Sequence, residues 1–159
     1  MTKRRAPISG KVPVLKSAEP FLLLLRELRT YMKKVGDENI EGPSREKRRR
    51  LNKWRVYDAK SVVALGFNET SRQLEDGNSE IVFVCRATKP LSLLEPIYDL
   101  CEQKESTCIM LPCTSEQVGD ALGIKRCIVL AVCKQKIKPP LDAIRSDFVR
   151  NVRDLPLLK

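Results

Sequence analysis

At 159 residues the chain has room for one ordinary domain with appended segments. Its 30 Lys and Arg against 20 Asp and Glu give a net charge of +10, and the complete absence of histidine removes most catalytic triads and His-based metal sites. The excess is localised: residues 1–60 hold 17 basic and 7 acidic side chains, whereas residues 61–159 hold 13 of each.

A neutral body with a cationic N-terminal region suits a polyanion, because each Lys or Arg set on a phosphate releases condensed counterions. Nucleic acid is favoured over a membrane surface. The segment Met1-Thr2-Lys3-Arg4-Arg5-Ala6-Pro7 lacks the apolar run of a signal peptide, and no later stretch approaches the roughly 18 apolar residues of a membrane span. The sequence therefore predicts a soluble, intracellular protein.

Residues 1–18 carry Lys3, Arg4, Arg5, Lys11 and Lys16 between Pro7, Gly10 and Pro13, which predicts a basic extended arm that orders on a partner. A second segment, 19–60, opens with Phe21, Leu22, Leu24, Leu25, Leu28, Met32 and Val35 at helical spacing. This predicts a helix from about residue 19 to about residue 35, started by Ser17 and Pro20 and capped by Gly36. Its leucine stripe faces the domain; Arg26, Arg29, Lys33 and Lys34 lie outside.

After a loop closed by Gly42-Pro43 comes the densest charge, Arg45, Lys47, Arg48, Arg49 and Arg50, followed by Lys53, Trp54, Arg55 and Tyr57. Such a run serves as a phosphate-contacting surface with aromatics that stack on bases, as a localisation signal, or as both.

The third segment, 61–159, alternates short apolar runs with amphipathic stretches. Val62–Leu65 is a short strand ending at Gly66; Asn68 is the expected cap of a helix reaching about Asp76, with Gly77 its terminator. Ile81–Cys85, apolar on both faces, reads as a central strand. Pro90 opens a helix through Leu94, Ile97, Tyr98 and Cys101 to about Lys104, bent at Pro96. Thr107–Leu111 is the next strand, and Thr114 with Gln117 forms a capping box for a helix that stops at Gly123.

Cys127–Cys133 is again a central strand, Lys134–Pro140 a basic turn, and Leu141, Ile144, Phe148 and Val152 line a final helix with Arg145, Arg150 and Arg153 on its outer side. The alternation predicts an α/β sheet covered on both faces, in which helix-linked strands tend to be parallel.

Little points to catalysis. The cysteines (85, 101, 108, 113, 127 and 133) follow no C-x-x-C spacing and mostly sit in apolar runs, as buried free thiols do. Zinc is not expected. Only Cys113 and Cys127 have the context of a nucleophile, and packing is the favoured role for both. No P-loop or G-x-G-x-x-G run occurs, since Gly119 and Gly123 fall within and at the end of a helix, so neither a nucleotide cofactor nor a metal is expected.

The polar cluster Gly66-Phe67-Asn68-Glu69-Thr70-Ser71-Arg72 offers different chemistry. Asn68 presents donors and an acceptor, Arg72 lies one helical turn on, and Glu69 could accept from base amino or imino groups. An Asn cap followed by Glu is also ordinary helix-start design. On chemistry alone that second reading leads.

The order of motifs adds to this. Gly66-Phe67-Asn68-Glu69-Thr70-Ser71-Arg72, Val82-Phe83-Val84-Cys85, Lys89-Pro90, Leu100-Cys101-Glu102-Gln103-Lys104 and Ala121-Leu122-Gly123-Ile124-Lys125-Arg126 resemble the kink-turn-binding RNA-protein superfamily of ribosomal and box C/D proteins. Within it the chain is most similar to the kink-turn-binding protein subunit of nuclear RNase P and RNase MRP, through Arg72, the segment Val84 to Pro90, and Gly123-Ile124-Lys125-Arg126-Cys127 without the proline common in relatives.

The resemblance implies a three-layer α-β-α sandwich with a mixed, mostly buried sheet plus the basic N-terminal extension. It implies that Asn68, Glu69 and Arg72 contact sheared G·A pairs, that Gly66 admits the backbone closely, and that Ile124, Lys125 and Arg126 line a pocket for a flipped-out nucleotide. Lys89 departs from the family's acidic residue. The implied function is non-catalytic: recognising and stabilising a kink-turn-like RNA within RNase P or RNase MRP, with RNA and other subunits as partners, in the nucleus and nucleolus. The alternatives are a ribosomal or box C/D protein, or a small α/β enzyme or interaction module whose basic run is a localisation signal.

Overall fold

The computed structural model describes residues 12–38, 62–88, 91–134 and 141–158. Residues 1–11, the basic run at 45–55, Lys89-Pro90 and most of the turn expected at 134–140 lie outside them.

Two runs, Ile81–Cys85 and Val129–Cys133, are buried at every position. A strand buried on both faces must lie inside a sheet with helices above and below, and these are the two central strands. The sheet has the order β1 (Val63–Leu65), β4 (Val129–Cys133), β2 (Ser79–Cys85), β3 (Thr107–Leu111). Among the described strands β2 and β3 form the one parallel hydrogen-bonded pair; β4 is inserted antiparallel between β1 and β2, with Leu65 opposite Leu130 and Phe83 opposite Leu130 on its other side. The expected common direction holds for the helix-linked β1 and β2, although they are not neighbours, and fails for the helix-linked β3 and β4, which run in opposite directions; burial identifies a central strand without giving its direction or its neighbours.

Alternate residues of the sheet feed two cores. On one face Ile81, Phe83, Cys85, Leu130 and Val132 meet α1 (Glu19–Glu38), α4 (Ser115–Leu122) and α5 (Leu141–Arg153). On the other, Val82, Val84, Val129 and Ala131 meet α2 (Phe67–Glu75) and α3 (Glu95–Gln103). The result is the three-layer α-β-α sandwich with a mixed sheet.

Helix ends follow from local chemistry. Thr114 and Gln117 form the expected reciprocal capping box, and Gly123 ends α4 in the left-handed region at φ 74°. Its N–H reaches the Asp120 carbonyl at 3.2 Å and that of Ile124 reaches Gly119 at 2.9 Å, so two terminal carbonyls are satisfied. Gly77 closes α2 the same way, with Asn78 N–H on Gln73 O at 2.8 Å.

Several expectations need correction. The first helix does not stop at Gly36 but runs to Glu38, since one glycine costs a helix only about 1 kcal/mol relative to alanine. Pro96 is not a bend within a long helix. A 3-10 turn, Leu91–Leu94, precedes α3, and Pro96 occupies its first turn, where no N–H is needed. Arg145 is not on the outer side of α5: it is 7% exposed, on the stripe shared by Leu141, Phe148, Val149 and Val152, and donates to Asp142 at 2.6 Å and to the Cys133 carbonyl at 3.3 Å. Arg150 and Arg153 are exposed as expected.

Residues 12–18, expected in the extended arm, lie on the domain. Val14 bridges Met110, Leu15 bridges Leu157, and Leu15 is fully buried in the same core as Phe21. Phe21 anchors α1, its ring 4.6 Å from Phe83 and 6.2 Å from Phe148.

Candidate nucleic-acid interface

Because β1 and β2 both run antiparallel to β4, and β3 runs parallel to β2, the C-terminal ends of three strands and the start of β4 share one end of the sheet. That end carries the segments after Leu65, after Cys85, and from Gly123 to Ile128. The topology therefore gathers the parts that the sequence leaves scattered.

The segment 127–129 ties them together. Gly66 N–H donates to the Val129 carbonyl at 2.8 Å, Cys85 N–H to Ile128 at 2.9 Å, and Cys127 N–H to Ser115 at the start of α4 at 2.9 Å. The Cys85 thiol reaches the Cys127 carbonyl at 3.3 Å and the Cys127 thiol the Val129 carbonyl at 3.1 Å. Cys127 is 3% exposed and burial pushes its pKa up to about 11. Cys113 is lowered by its hydrogen bond with Cys85, yet it is 6% exposed. Neither thiol has the exposure of a nucleophile; both pack beneath the surface.

Asn68 is not the helix cap. Gly66 holds that position at φ 87°, ψ 171°, with no side-chain hydrogen bond to the first turn. A side chain would be strained in this conformation, although nothing lies within 4 Å of where its Cβ would stand. Glycine is needed for shape, and the space above it is open to close approach. Relieved of capping, Asn68 is an exposed residue of the first turn.

Spacings of three and four place Asn68, Glu69 and Arg72 on one helix face, while Thr70 and Leu74 are buried on the other. Glu69 and Arg72 pair at 3.6 Å, with side-chain exposures of 36% and 67%. An ion pair this exposed contributes about 0–1 kcal/mol, so exchanging it for a ligand costs little.

Lys125 and Arg126 are exposed, whereas Ile124 is half-buried and packs against the core on the α1 side. The backbone of this segment is seated tightly on α4: a Cβ at Gly119 would come within 2.7 Å of Arg126 N. Lys89 lies outside the described residues. Thr88, just before it, is buried and donates its hydroxyl to the Cys85 carbonyl at 2.7 Å, fixing where the chain leaves the sheet.

Two residues join this end of the molecule that sequence reasoning left out of the site. Phe67, 40% exposed at the first position of α2, presents an aromatic ring beside Asn68. Arg86 is exposed directly after β2, its N–H held by the Leu111 carbonyl at 3.0 Å. An aromatic between the glycine and the asparagine could have signalled the first; the second has no sequence signal. Among the described residues no group of His, Cys, Asp and Glu is arranged to hold a metal, and no helix is long and apolar enough to cross a membrane.

The fold and this end of the sheet define an α-β-α protein whose polar surface is built from a helix start and a neighbouring loop. Residues 51–139 match the model of the ribosomal protein L7Ae/L30e/S12e/Gadd45 family, and the chain belongs to that family. It is similar to the human ribonuclease P protein subunit p38, with 23% identity over 113 residues, covering 71% of this chain and 40% of that protein. It is also similar to the large ribosomal subunit protein eL8 of Methanobrevibacter smithii, 37% identical over 62 residues, or 39% of this chain and 50% of that one. Among solved structures, the Giardia lamblia 15.5kD RNA binding protein superposes with a TM-score of 0.52 over 86% of this chain and 88% of its own, at 16% identity, a likeness of fold. The chain thus spans about two-fifths of the human relative's length.

Proposed function

We propose that the chain is a non-catalytic RNA-binding protein that recognises and stabilises a kink-turn-like element, as a subunit of RNase P or RNase MRP acting on tRNA and rRNA precursors in the nucleus and nucleolus. The observation that carries the reading is the helix face on which exposed Asn68 and Arg72 flank the half-buried Glu69, at the same end of the sheet as Lys125 and Arg126. Proteins read sequence and shape in RNA mainly where bases leave the regular helix. There the amide of Asn68 and the guanidinium of Arg72 suit purine edges, Glu69 suits base donors, and Phe67 offers a stacking face.

Gly66 leaves room for a close backbone, Ile124 lines the pocket with Lys125 and Arg126, and Lys89 supplies a phosphate contact in place of the family's acidic group. In this assignment the associated RNA performs the cleavage. The groove between α1 and α5, lined by Leu24, Leu28, Tyr31, Ile144 and Phe148, is the surface for other protein subunits.

The subunit assignment is supported by the alignment with the human p38 protein over 71% of the chain. The higher local identity to the archaeal ribosomal protein, 37%, supports the second reading, a ribosomal or box C/D protein of the same family. Sequencing the RNA that copurifies with the full chain separates them: RNase P or MRP RNA is expected, and ribosomal or box C/D RNA alone would establish the second reading instead.

Lys3, Arg4, Arg5, the run Arg45, Lys47, Arg48, Arg49 and Arg50, and Lys53, Trp54 and Arg55 are proposed to hold neighbouring phosphates. Deleting residues 1–11, a cut that leaves the buried Leu15 in place, should weaken specific and mutated RNAs alike and flatten the salt dependence by about 0.7–0.9 per lost contact. An unchanged slope in a salt titration would remove the arm from the interface.

A further inference from the structure

We infer that Arg29 of α1 is part of the RNA-binding surface, its guanidinium seated on Gly123 to hold a backbone phosphate together with Lys125 and Arg126. This rests on the RNA-binding reading above and adds to it an RNA contact from α1.

Three observations place the group. A Cβ at Gly123 would overlap the Arg29 guanidinium, with Nε only 2.6 Å away, so the planar group lies against the face of Gly123 that a side chain would occupy. Gly123 is also held at φ 74°, and both the turn and the seat therefore require glycine. Next, Arg26, one turn earlier on α1, pairs with Asp120 of α4 at 3.5 Å, an exposed contact between the two helices beside this seat. Finally, Arg29 itself is half-buried and has no ion pair with any described residue.

The consequence is a cation already held in place. A long side chain that waves in solvent loses rotamer freedom when it grips a phosphate, whereas one packed against a glycine has lost much of it in folding. Guanidinium also presents a fixed fork of donors that matches phosphate oxygens. Two acidic groups of α4 already have cationic neighbours, Asp120 in its pair with Arg26 and Glu116 within electrostatic reach of Arg126, and the exposed Lys125 and Arg126 follow Gly123 by two and three residues.

The test is a salt titration of kink-turn RNA binding by the full chain, using wild type, Arg29→Gln, Arg29→Lys and Arg26→Gln. Arg29→Gln keeps much of the stem and removes the charge. It is expected to weaken binding about fivefold and to reduce the salt slope by about 0.7–0.9, the value for one phosphate contact. Arg29→Lys should restore most of the slope, and Arg26→Gln should leave it near wild type. Wild-type affinity and slope in Arg29→Gln, or an equal drop in Arg26→Gln, would overturn the assignment. If wild type itself does not distinguish a kink-turn from an RNA lacking the G·A pairs, the underlying reading has failed instead. Should Arg29→Gln not fold, arginine-directed dicarbonyl labelling of wild type decides: RNA should protect Arg29, and equal labelling with and without RNA would refute the contact.

Discussion

Replacing Asn68 and Arg72 together by alanine is expected to weaken binding of a kink-turn RNA by about 2.7 kcal/mol, or about 100-fold, with little change in melting temperature. The size follows from the loss of base-edge contacts, each good one contributing about 1–3 kcal/mol of discrimination. The absence of a stability effect follows from structure: both side chains are exposed, Asn68 caps nothing, and Arg72 has only its exposed pairing with Glu69 among the described residues. Surface changes of this kind usually stay within about 0.5 kcal/mol. Binding by the double variant within a fewfold of wild type would detach this face from recognition. A collapse in melting temperature would show that Asn68 or Arg72 holds the fold.

Gly119→Ala should have the second largest effect, felt first in stability. In an open helix this change gains about 0.5–1 kcal/mol. Here the new methyl would meet backbone, with Arg126 N at 2.7 Å, and backbone cannot swing aside like a flexible side chain. Overpacking of this kind costs about 1–3 kcal/mol, enough to cancel the helical gain. Thermal denaturation should show a fall of a few degrees, and RNA affinity should fall too because Lys125 and Arg126 are displaced from the seat on α4. A raised melting temperature would mean that the loop does not rest on Gly119 as described.

Much of the scaffold could be read from residue order. Uninterrupted apolar runs at Ile81–Cys85 and Val129–Cys133 can be buried only in the middle of a covered sheet, and Thr114 with Gln117 and Gly123 encode both ends of α4. Topology was less legible, since no local pattern says that β4 lies between β1 and β2. At α2, glycine and asparagine are both acceptable cap residues, so a shift of two positions is invisible in sequence. The shift matters because it changes Asn68 from a structural cap to an available polar group.

Other misses share one cause. Arg145 looked like an outer-face cation by residue type, but its spacing with Phe148 and Val149 put it on the buried stripe, where Asp142 and the Cys133 carbonyl accept its hydrogen bonds. Gly119 and Gly123 looked like helix filler and a stop signal. Their second roles, seating a loop and a guanidinium, depend on contacts across the fold that no spacing rule carries.

The central claim is that this surface reads a kinked RNA rather than anionic polymer in general. The most direct measurement is the dissociation constant of the full chain for a kink-turn RNA and for the same RNA with its G·A pairs changed to Watson–Crick pairs, at one physiological salt concentration. Charge is identical in the two RNAs, so counterion release alone gives equal affinities. The account predicts at least about 100-fold tighter binding to the kink-turn, near 2.7 kcal/mol; equal dissociation constants would contradict it.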